Sequence, residues 1–163
     1  MDLTPLSTAV GQQLLARQLS LVTAESCTGG YLAKTITDVP GCSAWFERGY
    51  VVYSVLSKQE LLGVKPATLT QHGAVSQETV AEMAQGALSR SHAHVSIAIT
   101  GIAGPGGATT TKPVGWVWFA WASRHWPLYS RAYQFVGDRE SVRTQSVFQA
   151  LKTLEELLIQ HSS

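Results

Sequence analysis

A chain of 163 residues, 45% of them hydrophobic and 14% charged, carries enough apolar material for a sizeable core under a lightly charged surface. Twelve Lys and Arg against eleven Asp and Glu give a formal net charge of +1, which argues against nucleic acid or an acidic membrane as the main partner. No apolar run reaches the ~18 residues of a membrane span, and the start, MDLTPLSTAV, lacks the basic end and apolar centre of a secretion signal. A cytoplasmic protein is expected, and the two cysteines, Cys27 and Cys42, fit a reducing compartment.

Leu3, Leu6, Val10 and Leu14 recur at helical spacing and predict an amphipathic helix over about 4–19. The β-prone run SLVTA at 20–24 reads as a strand. After Thr28, the residues Leu32, Ala33 and Ile36 suggest a second helix, which VPG at 39–41 stops. FERGYVVYS at 46–54 is the next strand, and SKQELLGV at 57–64 a short helix ending at Gly63. Ser76 is a fitting N-cap with Glu78 in the first turn, where a helix dipole favours an acid. Val80, Met83, Ala84, Ala87 and Leu88 then mark one helix face. HVSIAIT at 94–100 reads as a mostly buried strand running into a Gly-rich loop at 101–113. Two longer strands follow at about 114–123 and 128–136. The short turn RHWP at 124–127 makes them antiparallel. Asp138 caps a final helix with Val147, Ala150, Leu151, Leu154 and Leu158 along one side. No linker or repeat interrupts the chain, so one domain over 1–163 is expected. Alternating helices and strands imply a layered α/β domain, with helices on both faces of a mixed sheet.

In such a fold, sites form where strands end and helices begin. Two segments have that placement: ESCTGG at 25–30 and GIAGPGG at 101–107. Unpaired amides of Thr28, Gly29 and Gly30 at a helix start would suit a phosphate or an oxyanion; a plain strand-to-helix turn would look the same. Most serines before a helix only cap it, and Ser26 becomes a nucleophile only with a base beside it. No histidine sits in a recognisable motif, and His92 and His94 lack the acid or cysteine company of a metal site. A lysine made neutral by burial can serve as base, and Lys58 lies near the right sheet edge, although a lone helical lysine is ordinarily a solvated charge. Cys27 is either a second nucleophile or a small buried residue. Arg139 and Arg143 share one face of the last helix and suit a phosphate or solvent. The aromatic run WVWFAWASRHW at 116–126 reads as core, with an exposed face that hints at a homo-oligomer.

Taken together, TAESCTGG, GCSAWFERGYVVYS with the following lysine, HGAVS, TGIAGPGG with KPVGWVWF, and GDRESVR resemble the CinA C-terminal family over about residues 5–155. That family includes stand-alone bacterial nicotinamide mononucleotide (NMN) amidohydrolases. The resemblance implies a three-layer α/β/α sandwich around a mixed, mostly parallel sheet. It implies hydrolysis of the NMN carboxamide to nicotinic acid mononucleotide and ammonia, with no metal or organic cofactor. It further implies Ser26 as nucleophile, Lys58 as base and Tyr53 lining the site, with Gly101, Ala103, Gly104 and Pro105 as a second wall. In the mechanism this suggests, the Thr28–Gly30 amides hold the oxyanion and Arg143 the phosphate. This chain departs from the active enzymes by reading YSVLSK where they usually read YSNEAK, so Val55 and Leu56 replace polar residues. The second reading is therefore a nucleotide-binding module that has lost turnover.

Overall fold

The computed structural model describes residues 1–162. Helix α1 (Thr4–Ala16) leads into β1 (Leu21–Glu25), α2 (Tyr31–Thr37) and, after a 3-10 turn at Cys42–Ala44, β2 (Phe46–Val51). Then come α3 (Val55–Leu62), α4 (Pro66–His72) and α5 (Gln77–Ser89). The chain closes with β3 (Val95–Gly101), β4 (Trp116–Ser123), β5 (Tyr129–Gln134) and α6 (Arg139–Gln160).

The five strands lie in the order β2-β1-β3-β4-β5. β1 pairs in parallel with both β2 and β3, and β4 runs antiparallel to β3 and β5. Every strand but β4 therefore points the same way, so the sheet is mixed and mostly parallel, as expected. Strand alternation sorts the core into two halves. Leu21, Val95, Ile97, Ile99, Val117, Phe119 and Trp121 face α1, α2 and α6. Val22, Ala24, Ala98, Ala120 and Ala122 face α3 and α5. The second set is small, which lets α5 lie close against the sheet. Gly86 on α5 continues that closeness: a Cβ there would stand 1.9 Å from the Leu62 carbonyl oxygen at the end of α3. The α3–α5 crossing therefore requires glycine.

Differences from the sequence reading have local causes. α2 starts at Tyr31 because Gly29 and Gly30 adopt left-handed φ of +58° and +100°. The second strand ends at Val51 because Ser54 turns the chain, its Oγ accepting the Ser57 amide at 3.0 Å and so starting α3 at Val55. α4 went unread, having only Pro66 at its start as a signal and little apolar periodicity. The aromatic strand is more inward than expected. Phe119 and Trp121 are fully buried in the chain's own core, and the Trp121 indole donates to the Ala150 carbonyl at 3.0 Å. Trp116 and Trp118 are half-buried, so this strand offers no exposed aromatic face.

The chain leaves β1 toward β2 on one side and reaches β3 on the other. This reversal opens a crevice at the carboxyl ends of these strands, where ligands bind in open α/β sheets. Ser26 follows β1 there, Tyr53 lies just beyond β2, and Gly101 ends β3.

Candidate active site

A cavity of about 380 Å³ opens at this crevice, within the range of small-molecule sites. Its walls come from five parts of the chain: Ser26 and Cys27 after β1, Tyr53, Val55 and Lys58 around the start of α3, Ala74 and Val75 before α5, the end of β3 with the Gly-rich loop after it, and Arg139 at the head of α6.

Ser26 is 8% exposed and held by its amide, which donates to the Ile99 carbonyl at 3.0 Å. Lys58, one turn into α3, is 1% exposed, and its Nζ lies 2.9 Å from Ser26 Oγ. Two further acceptors surround the amine: Val52 O at 2.9 Å and Tyr53 O at 3.2 Å. Among the described residues, no carboxylate is a hydrogen-bond partner of this amine. Burial in this apolar setting pushes the Lys58 pKa down from 10.5 to about 8. The two carbonyls fix the geometry of the neutral form. An amine donates two hydrogens, and with both given to Val52 O and Tyr53 O its lone pair is left for the Ser26 hydroxyl.

Cys27 borders the cavity but has a different character. Burial drives its thiol up to about 12, outweighing the nearby Arg143 and Lys58 charges. It stays protonated and is not a competing nucleophile.

The structure brings several of the expected residues together. Tyr53, Gly101, Ala103 and Gly104 line the cavity with Ser26 and Lys58. Others do not. Thr28, Gly29, Gly30 and Pro105 are outside the lining, although Gly104 and Gly106 flank Pro105 within it. The Gly29 amide folds back onto the Ser26 carbonyl at 3.0 Å. The amides of Leu32 and Ala33 at the head of α2 are taken by the Glu25 carboxylate. The main-chain N–H groups that remain without an acceptor among the described residues and border the cavity include those of Cys27, Ala103 and Gly104.

Arg143 also falls outside. Its Nη2 donates to Thr28 O at 2.9 Å and its Nε to Cys27 O at 3.2 Å, so it braces the turn that carries Ser26. Its neighbour on the helix face, Arg139, is the guanidinium at the cavity. Arg139 Nη1 donates to Gly104 O at 2.7 Å and Nη2 to the Tyr53 hydroxyl at 3.0 Å. Sequence spacing put both arginines on one side of α6 and could not say which reached the cavity. Ala74, Val75, Thr100 and Ile102 were missed as lining; only their positions beside HGAVS and TGIAGPGG hinted at it. His94 has no metal role to play through Nδ1, which accepts the Ser20 amide at 3.0 Å.

The sequence pattern of a known family, the CinA C-terminal domain, matches residues 3–158. The chain belongs to the CinA C-terminal domain family. Among relatives of this CinA domain is the Escherichia coli K12 protein named nicotinamide-nucleotide amidohydrolase PncC. It is 50% identical over 161 residues, spanning 99% of this chain and 98% of the relative. A Pseudomonas putida protein of the same name is 48% identical over 155 residues, spanning 95% and 96%. Among solved structures, the competence damage-inducible protein A of Klebsiella pneumoniae matches this CinA domain with a TM-score of 0.95 at 38% identity. That match covers 99% of this chain and 100% of the other.

Proposed function

We propose that this protein is an NMN amidohydrolase that works through a Ser26–Lys58 pair. The observation that carries the reading is the buried amine 2.9 Å from the serine hydroxyl at the edge of a ligand-sized cavity. The names of its full-length relatives supply the substrate. Neutral Lys58 takes the proton from Ser26, and Oγ attacks the carboxamide carbon. The free amide of Cys27, with that of Ala103 across the cavity, is placed to receive the oxyanion. This replaces the Thr28–Gly30 amides, since those three residues lie outside the cavity lining and the Gly29 N–H is already bonded to the Ser26 carbonyl. When the intermediate collapses, the C–N bond breaks and Lys58 returns the proton to the departing ammonia. Water then cleaves the acyl-serine, delivering nicotinic acid mononucleotide and restoring both side chains. Arg139, rather than Arg143, is the cation for the phosphate.

The intact pair supports an enzyme over a nucleotide-binding module, because a module has no use for a desolvated amine held on a hydroxyl. Val55 does line the cavity, but as a wall beside the pair rather than a member of it. No helix among the described residues is long and apolar enough to cross a membrane, and Cys27 and Cys42 are both free thiols. These features support a cytoplasmic site of action. Support for a homo-oligomer moves from the aromatic strand to the exposed apolar side chains Val51, Tyr53, Val55 and Leu56. The deciding experiment measures ammonia from NMN with the wild type and with Ser26→Ala. We expect release by the first and none by the second, with both giving the same circular dichroism. Binding of NMN by the wild type with no ammonia would establish the module instead.

A further inference from the structure

Among the described residues, Glu25 is the one acidic residue in the fully buried set, at the last position of β1 and directly before Ser26. Its carboxylate accepts three hydrogen bonds and pairs with no cation. Oε1 receives the Thr28 hydroxyl at 2.6 Å and the Leu32 amide at 2.9 Å, and Oε2 receives the Ala33 amide at 3.0 Å. Its main chain works in the other direction. The Glu25 carbonyl accepts the Val52 amide at 2.8 Å, and the Val52 carbonyl in turn accepts Lys58 Nζ. One residue thus ties both halves of the pair: its side chain anchors the far end of the 26–30 turn, and its backbone anchors the strand end that orients the amine.

We infer that Glu25 is a positioning residue, whose carboxylate holds the Ser26 turn so that Oγ stands within proton-transfer reach of Lys58. The inference rests on the Ser26–Lys58 reading above. Three donors converge on this carboxylate, and donors alone. A carboxylate offers about four lone pairs to such a set, whereas a glutamine would turn an NH₂ against a backbone N–H. Leaving buried amides without an acceptor forces the turn to move. The head of α2 is thereby neutralised from within the sheet rather than left open to a ligand. The Leu32 and Ala33 amides are thereby closed to the anion of the reaction, which the cavity-bordering amides of Cys27 and Ala103 are left to receive.

The role separates from simple support of the fold by what changes. Displacing a reacting group by about 1 Å costs about 10²-fold in turnover while leaving substrate affinity alone. Glu25→Gln is therefore expected to lower kcat by about 10²-fold with KM nearly unchanged, and Glu25→Asp, which keeps the charge, to restore part of it. Thr28→Val removes only the hydroxyl contact and serves if Glu25→Gln does not fold; it is expected to give a smaller fall of the same kind. A second readout does not depend on NMN. The rate at which phenylmethylsulfonyl fluoride labels Ser26, followed by intact mass, is expected to drop in Glu25→Gln along with kcat. Folded Glu25→Gln labelled at the wild-type rate, or crystals of it with the Ser26–Lys58 distance unchanged, would overturn the inference while leaving the deamidase reading intact. Wild-type protein that is labelled but releases no ammonia would sink the substrate assignment, and the labelling comparison would still decide the role of Glu25.

Discussion

Lys58 can be a base near neutral pH only if folding weakens its hold on the proton, and that weakening is measurable as stability. The perturbation is Lys58→Met, which removes the ionisable group and keeps an unbranched side chain. Folding lowers the Lys58 pKa from 10.5 to about 8. At about 1.4 kcal/mol for each pH unit, the folded state is disfavoured by about 3 kcal/mol while the amine is charged. Below pH 8 both the folded and unfolded chains hold the proton, and the penalty is present in full. Between about 8 and 10.5 only the unfolded chain holds it, so stability rises with pH. Above 10.5 neither does, and the penalty is gone. Urea unfolding followed by tryptophan fluorescence, on wild type and Lys58→Met from pH 7 to 11, gives the difference between the two. Subtraction cancels every other titrating group, and the carbonyls left unpaired by methionine add only a constant. The wild type is expected to gain about 3 kcal/mol on the variant across this window. A flat difference would mean that Lys58 keeps an ordinary affinity for its proton, and the catalytic reasoning built on a neutral amine would fail with it.

The same pKa governs rate: kcat/KM for NMN should climb about tenfold from pH 7 to pH 9, with a midpoint near 8 that reports the free enzyme. A profile already flat at pH 7 would count against Lys58. Arg139→Ala should raise KM for NMN by at least tenfold, the loss of one charge-assisted contact, and should have little effect on NMN lacking its phosphate. Equal losses on both substrates would show that Arg139 only braces Tyr53 and Gly104. Gly86→Ala should destabilise the protein by about 1–3 kcal/mol through overpacking against the Leu62 carbonyl. It should also lower kcat, because α3 must shift and Lys58 rides on it; an unaltered melting temperature would disprove the close crossing.

Periodicity and punctuation carried most of the fold into the sequence. α5 announced itself by Ser76, Glu78 and an unbroken apolar face, and β3 by an apolar run ending in glycine. α4 had no such face, because a seven-residue helix touching the core mainly through Leu69 leaves little pattern. The site was legible as two strand-end motifs and illegible in its assignments. Composition and spacing alone favoured a solvated Lys58, since burial of one side chain is decided by tertiary packing; the family resemblance corrected it. Arg139 and Arg143 differ by one helical turn, and only the distance from α6 to the Ser26 turn determines which becomes a brace. Nothing in ESCTGG marks Glu25 apart from its charge, because its three donors come from residues 28, 32 and 33 once the turn has closed.

The acceptors that aim Lys58 belong to the peptide backbone of Val52 and Tyr53, so no side-chain replacement can delete them. Val55 and Leu56 are 47% and 60% exposed, riding outward on the first turn of α3. On the Ser26–Lys58 reading proposed above, a change from polar to apolar at those two positions alters what the rim greets and leaves the backbone acceptors beneath it in place. Reactivity and selectivity are in that sense stored in different parts of the polymer, and the second can drift while the first stands still.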